Sequence, residues 1–364
     1  MLPGLYVHVP FCARKCPYCD FYSVSAVNLI PLWLEGLARE AALRAGDWPG
    51  PFETVYIGGG TPSLLSPFDL AALFEAISPL RLAPGYEMTI EANPENVSVE
   101  RVRTWLDFGV NRISLGVQSF DPRWLNESLS RGHTVGDNMG AVDAVASTGA
   151  SLSLDMIFGH PGQQPEEWAS DLDKAAATWA DHVSAYCLTP GPGTPMGRAL
   201  AAGVASKLPG EKLASELFLV AGEALGMRGF TRYEVSNFAR GGAVCRHNLK
   251  YWRREPYLGL GPSAHSFDGR GRWSNTSSVR RWAAALGRGE HSLEFSEELT
   301  ERQRRMEQVM LGLRLAEGFP AGLTEHPDKL AELEEGGFLT LSDDMVRPTP
   351  KGLLAADALA KILA

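Results

Sequence analysis

The chain has 364 residues with 45% hydrophobic side chains, enough for a large buried core and, at ordinary domain sizes, for two domains. Its 34 basic and 43 acidic residues leave a net charge of −9, which disfavours attraction to phosphate backbones and argues against nucleic acid as a partner. No stretch reaches the roughly 20 apolar residues of a membrane span, so any membrane contact is expected to be peripheral. Five cysteines, an odd number, with no apolar leader at the N-terminus point to a reducing cytoplasm rather than to disulfides.

Along the chain, short β-rich runs alternate with segments of helical period. Strands are expected at 5–9, 54–57, 87–91, 112–117, 151–157 and 182–188, and helices at 29–45, 67–76, 99–108, 136–148 and 165–179. Six such units predict a partial (β/α)6 barrel of parallel strands with helices outside, two units short of a full barrel. Polar or glycine-rich residues follow these strands: Gly58-Gly59-Gly60-Thr61-Pro62 after the second, Glu91 and Asn93-Pro94 at the third, Gln118 at the fourth, Asp155 late in the fifth and Cys187 in the sixth. In β/α barrels the loops at the C-terminal strand ends converge on one face, so these positions are expected to share a site.

The first strand runs into Cys12, Cys16 and Cys19, a C-x3-C-x2-C loop. Three thiolates leave one iron of a four-iron cubane without a protein ligand, which suits a reactive cluster better than an electron carrier. Structural zinc would need a fourth donor, with His8 or His247 available. The glycine run can be a plain tight turn, or a place where backbone approaches a ligand closely. Glu91 and Asp155 sit late in apolar strands, where an unpaired charge is costly; each either satisfies barrel backbone or an arginine, or contacts ligand hydroxyls or amines.

Beyond the turn-rich residues 190–195, a helix is expected at 209–225, followed by Cys245-Arg246-His247-Asn248-Leu249-Lys250-Tyr251-Trp252. His247 can be a core histidine bonded to a carbonyl, or a metal ligand beside two flat aromatics; Cys245 can be a ligand or a buried spectator thiol. From about Ser296 a helix, a second helix at 328–335, a hairpin turning at Ser342-Asp343-Asp344 and a last helix read as a winged-helix-like domain. With 13 acidic and 8 basic side chains from Ser296 onward, it suits a protein contact or a lid better than DNA. The expected division is 1–290 and 291–364.

The cysteine spacing, with Tyr18 before the third cysteine, resembles the radical S-adenosylmethionine superfamily. That resemblance implies a [4Fe-4S] cluster on Cys12, Cys16 and Cys19. It also implies S-adenosylmethionine chelated to the open iron and cleaved to a 5′-deoxyadenosyl radical. It places Tyr6, Tyr18, Gly59, Gly60, Thr61 and Glu91 with the cofactor. Gln118 and Asp155 match positions that in related coproporphyrinogen dehydrogenases touch a second S-adenosylmethionine; Arg131 is a looser match, because segment 124–130 reads one residue longer than in those relatives.

The H-N-x-x-Y-W hexad, with Cys245-Arg246 before it, resembles the signature of HemW-type haem chaperones, and the resemblance runs through essentially the whole chain. It implies haem binding at His247, Asn248, Tyr251 and Trp252, with His247 as an iron ligand or its neighbour, and transfer of haem to an acceptor protein in respiratory cytochrome assembly. The rival is the oxygen-independent coproporphyrinogen III oxidase, which carries a further cysteine where this chain has Phe21 and an N-terminal arm where this chain has five residues before Tyr6. Both departures lead to the expectation of no coproporphyrinogen dehydrogenase activity. A third class is another radical S-adenosylmethionine enzyme, a methylase or a degradative one.

Overall fold

A computed structural model describes residues 1–48 and 50–364. The first half follows the expected alternation: β1 (Gly4–Val9), α1 (Ile30–Ala45), β2 (Phe52–Gly59), α2 (Pro67–Ile77), β3 (Leu82–Ala92), α3 (Val99–Asp107), β4 (Arg112–Gln118), α4 (Val135–Ala146), β5 (Ser151–Phe158), α5 (Pro165–Ala176) and β6 (His182–Cys187). Strands β1 to β6 pair in parallel in chain order. The local chemistry fixes several helix starts. Ser66 with Asp69, and Thr134 with Asp137, form reciprocal capping boxes, and prolines occupy the first turns of α2 and α5, where no intrahelical amide bond is needed.

Each strand serves two faces. On β4, Ile113, Leu115 and Val117 enter the apolar core beneath the helices, whereas Arg112, Ser114, Gly116 and Gln118 line an interior cavity. The two-residue period of a strand thus sends polar residues inward and apolar ones under the helical layer.

The second half adds α6 (Pro195–Ala201), α7 (Glu211–Met227), β7 (Thr231–Arg232), β8 (Asn237–Ala239), α8 (Arg246–Trp252), β9 (Tyr257–Leu260), β10 (His265–Phe267), β11 (Gly271–Asn275), α9 (Val279–Gly287) and β12 (Leu293–Glu298). Strand β9 pairs in parallel with the outer side of β1, and β10 to β12 extend that edge antiparallel. At the other edge β8 and β7 add antiparallel to β6. The result is one mixed sheet in the order β12-β11-β10-β9-β1-β2-β3-β4-β5-β6-β8-β7, a partial barrel that does not close among the described residues.

The tail comprises α10 (Glu301–Gly312), β13 (Phe319–Pro320), α11 (Asp328–Glu335), β14 (Leu339–Ser342), β15 (Met345–Pro348), α12 (Pro350–Leu354) and α13 (Ala356–Leu363). Its three-stranded sheet, β13-β15-β14, and its helices enclose a separate apolar cluster around Val309, Phe319, Leu339 and Leu359, a winged-helix-like C-terminal domain. The hairpin turns at Asp343 and Asp344, whose φ values of 53° and 58° are those of a tight primed turn. Ser296 does not open a helix: it pairs with Trp273 in β12, and α10 begins after Thr300, capped by Gln303. The expected division after residue 290 therefore falls before a strand that belongs to the large sheet.

Glu40 ties α1 to the second half. Its carboxylate accepts from the Gly261 amide (2.8 Å), Asn275 Nδ2 (2.6 Å) and Trp282 Nε1 (3.2 Å). Burial, opposed first by the Gly261 amide bond, holds this carboxyl up at about 7 against an ordinary 4.5. The folded protein thus keeps a proton that the unfolded chain has released, and the associated stability is lost as pH rises through 7. Replacing Glu40 by Gln removes that loss, so the melting temperature of Glu40→Gln relative to the parent is expected to climb between pH 4.5 and 8. A difference independent of pH in parallel thermal melts contradicts this account.

Candidate functional site

The C-terminal strand ends open into a cavity of about 580 Å3, within the usual range for ligand sites. The cysteine loop forms its upper wall and is seated on the end of β2. The Gly60 amide donates to Val9 O and the Thr61 amide to Phe11 O, both at 2.8 Å. A Cβ on Gly60 would stand 2.6 Å from Phe11 O and 2.8 Å from Val9 O, so only glycine lets the loop lie there. Gly59 takes φ +110°, a left-handed geometry that also suits glycine. The loop's far limb is held by Cys12 N to Val24 O (3.1 Å) and Val24 N to Pro10 O (2.7 Å). Cys12, Cys16 and Cys19 are free thiols, half-buried on one loop. Thr61 Oγ1 donates to Cys12 Sγ at 3.5 Å, and burial pushes the Cys19 thiol up.

Tyr18, Gly59, Gly60, Thr61, Glu91, Gln118, Arg131 and Asp155 all line this cavity. Glu91 Oε2 accepts the Gly59 amide and Oε1 the Tyr56 hydroxyl, each at 2.9 Å. Burial and then the neighbouring Asp155 raise its carboxyl to about 7. Asp155, itself raised by burial, accepts from Ser114 at 3.0 Å. Gln118 sits at φ 66°, a strained position for a residue with a side chain, at the end of β4.

Arg131 reaches the cysteine loop with Nη1 3.4 Å from Cys16 Sγ, and Nη2 donates to Asn93 Oδ1 at 2.7 Å. The segment before it closes in a wide helical turn at Trp124–Ser128, where the Leu129 amide reaches Trp124 O. The looser sequence match thus leaves the arginine at the rim.

The hexad is placed differently from expectation. Helix α8 closes the opposite, lower end of the barrel, and His247 is fully buried there. Its Nδ1 is bonded to Thr54 Oγ1 (2.7 Å) and its Nε2 to Tyr251 OH (2.8 Å), and its ring stacks on Tyr56. Burial, then Lys250 and Arg112, hold its pKa down at about 3. Both ring nitrogens are thus hydrogen-bonded within the protein, and in this structure the imidazole is a satisfied core group rather than one that offers a free nitrogen to iron. Tyr251 packs edge-on against His247 and Tyr257, and only Asn248 of the hexad lines the cavity. Tyr6 lies in the same aromatic layer, its hydroxyl 3.0 Å from His8 Nδ1. Cys245 is buried against Glu87, and burial raises its thiol to about 12.

Two cavity residues went unnoticed in the sequence. Tyr56 holds Glu91, and Arg112 lies at the floor; counting back from Gln118 in twos along β4 reaches Arg112. Among the described residues no three His, Cys, Asp or Glu side chains converge on one metal ion. His8 and His247 are both fully hydrogen-bonded, so neither completes a zinc site. Three unpaired soft thiols on one loop, a glycine-lined approach and the enclosed, unpartnered Nε of Arg131 fit a cluster and a polar ligand held beside it.

This open parallel barrel with a three-thiol rim defines the Radical SAM superfamily, whose family model matches residues 6–175, and the HemN C-terminal domain model matches 299–355. Over 99% of its length the chain is 37% identical to the heme chaperone HemW of Mycobacterium tuberculosis, covering 94% of that protein. It is 31% identical to the heme chaperone HemW of Bacillus subtilis, with 97% of each chain covered. The chain belongs to the HemW family. In fold it is similar to the coproporphyrinogen III oxidase (HemN) of Escherichia coli, with a TM-score of 0.83 and 21% identity over 99% of this chain and 89% of that one.

Proposed function

We propose that this protein is a cytoplasmic haem chaperone that binds haem in the barrel cavity and passes it to an acceptor protein of respiratory cytochrome assembly. Cys12, Cys16 and Cys19 hold a [4Fe-4S] cluster. Tyr18, Gly59, Gly60, Thr61 and Glu91 surround S-adenosylmethionine at its open iron, and Gln118, Arg131 and Asp155 line the adjoining space. When bound, the cluster and S-adenosylmethionine supply one-electron cleavage of a carbon–sulfur bond. Asn248 is the hexad's contact with the cargo, while His247 fixes Tyr251 and the floor.

The observation that carries this reading is the full-length relation to two chaperones named for heme, joined to a large rim cavity beside three free thiols. At the mouth of that cavity Phe21, 68% exposed, stands where the rival oxidase has a cysteine.

Anaerobically reconstituted protein is to be titrated with haem and, separately, incubated with coproporphyrinogen III, S-adenosylmethionine and reductant. Stoichiometric haem binding without protoporphyrinogen is the expected result; multiple-turnover protoporphyrinogen formation, read by chromatography, overturns the chaperone reading. His247→Ala is expected to keep the parental Soret maximum but to melt earlier. It leaves Thr54 and Tyr251 without a partner, each loss worth about 1–3 kcal/mol. A shifted Soret band would restore His247 as a ligand.

A further inference from the structure

Arg112, the first residue of β4, is 4% exposed, yet among the described residues it makes no ion pair, and its Nε is enclosed without a hydrogen-bond partner. Its side chain forms the partition between the main cavity and a second one of about 230 Å3 at the lower end of the strands. A guanidinium stays charged in any protein environment, and here the carboxylates around it, Glu87 first, favour that charge from a distance without meeting its donors.

The nearby carboxylates are committed elsewhere. Glu87 accepts the Arg246 amide with Oε2 and the His247 amide with Oε1, both at 3.0 Å, capping α8. Glu91 is bonded to Gly59 and Tyr56, and Asp155 to Ser114. A planar fork of donors therefore faces the cavity from below with no protein acceptor, which is the geometry that receives a carboxylate in two parallel bonds.

We propose that Arg112 anchors a ligand carboxylate at the cavity floor and that this carboxylate is a propionate of the bound tetrapyrrole, an assignment that rests on the haem reading above. S-adenosylmethionine also carries a carboxylate, but the cysteine loop that would hold it lies at the C-terminal end of β1, whereas Arg112 opens β4 at the opposite end of the barrel. The tetrapyrrole enters edge-first, with its acidic edge down and its remaining edge toward the rim.

The reconstituted parent, Arg112→Met and Arg112→Lys are each titrated with haem, with haem dimethyl ester, whose propionates are capped, and with S-adenosylmethionine. Capping is expected to weaken binding to the parent on the order of 30-fold, the usual effect of breaking a buried hydrogen-bonded charge pair. Arg112→Met is expected to lose as much affinity for haem and to bind haem and its ester alike, with Arg112→Lys between. Ligand-free Arg112→Met and Arg112→Lys are both expected to keep the parental circular dichroism. Loss of the fold in both variants marks a structural cation and counts against the proposal. Parental haem affinity in Arg112→Met, with the ester still discriminated, overturns the anchor and leaves the haem reading standing. Loss of S-adenosylmethionine binding with haem binding intact reassigns the carboxylate and overturns the tetrapyrrole assignment. A parent that binds no haem overturns the functional reading itself.

Discussion

Replacing Cys12, Cys16 and Cys19 together by Ala is expected to abolish iron and sulfide incorporation, leaving a colourless protein with its melting curve nearly intact. The three thiols lie half-buried in a loop whose position is set by backbone bonds from Gly60, Thr61 and Val24 rather than by the sulfurs. Cys187 and Cys245 serve as internal controls. Cys245 is buried at the lower end of the barrel with its thiol strongly disfavoured as thiolate, so Cys245→Ala is expected to retain full cluster content. Iron and sulfide analysis with visible spectroscopy checks the pair. Equal cluster content in the triple variant and the parent would remove the basis for the proposed cofactor site.

A single methyl group added at residue 60 is expected to do nearly as much damage without touching a ligand. In Gly60→Ala the new Cβ would meet the carbonyl oxygens of Val9 and Phe11 and the Phe11 amide, where β1 runs into the cysteine loop, all backbone and all under 3.0 Å. Backbone cannot rotate away as a flexible side chain can, so the loop must lift from β2 and lose the Gly60 and Thr61 bonds. Overpacking of this kind costs about 1–3 kcal/mol. The expected readout is cluster content well below half of the parent after identical reconstitution, with circular dichroism unchanged. Gly46→Ala, where a Cβ meets nothing, is the matched control and is expected to reconstitute normally.

Much of the frame was legible because it is local. Alternating β-rich and helical runs located six parallel strands, since parallel strands covered by helices are short and apolar, and capping residues such as Ser66 and Thr134 mark helix starts in the chain itself. The rim residues were legible for the same reason: they follow strands, and strand ends converge.

What escaped was non-local. Nothing between residues 245 and 252 says that α8 folds back beneath the barrel, where Thr54, contributed by β2, completes the hydrogen bonding of His247. A histidine beside two aromatics reads alike in a core and in a haem site until its partners, here 193 positions away, are known. Arg112 was overlooked because its significance lies in partners it lacks, and a missing partner leaves no trace in sequence. Ser296 and the glutamates after it satisfy a helix-start pattern, whereas pairing of Leu293–Glu298 with β11 makes them strand.

The pairing of β9 with β1 bears on biosynthesis. Gly4 lies opposite Tyr257, so β1 waits for about 250 further residues to be made before its outer edge is covered. At about 5–20 residues per second, that interval is roughly 10–50 s. The glycine seat of the cysteine loop has emerged by residue 60, long before α8 is available to seal the barrel from below. Until residues 257–260 have been made, the outer edge of β1 therefore presents unpaired backbone groups, a template for wrong pairing that the nascent chain must be kept from using.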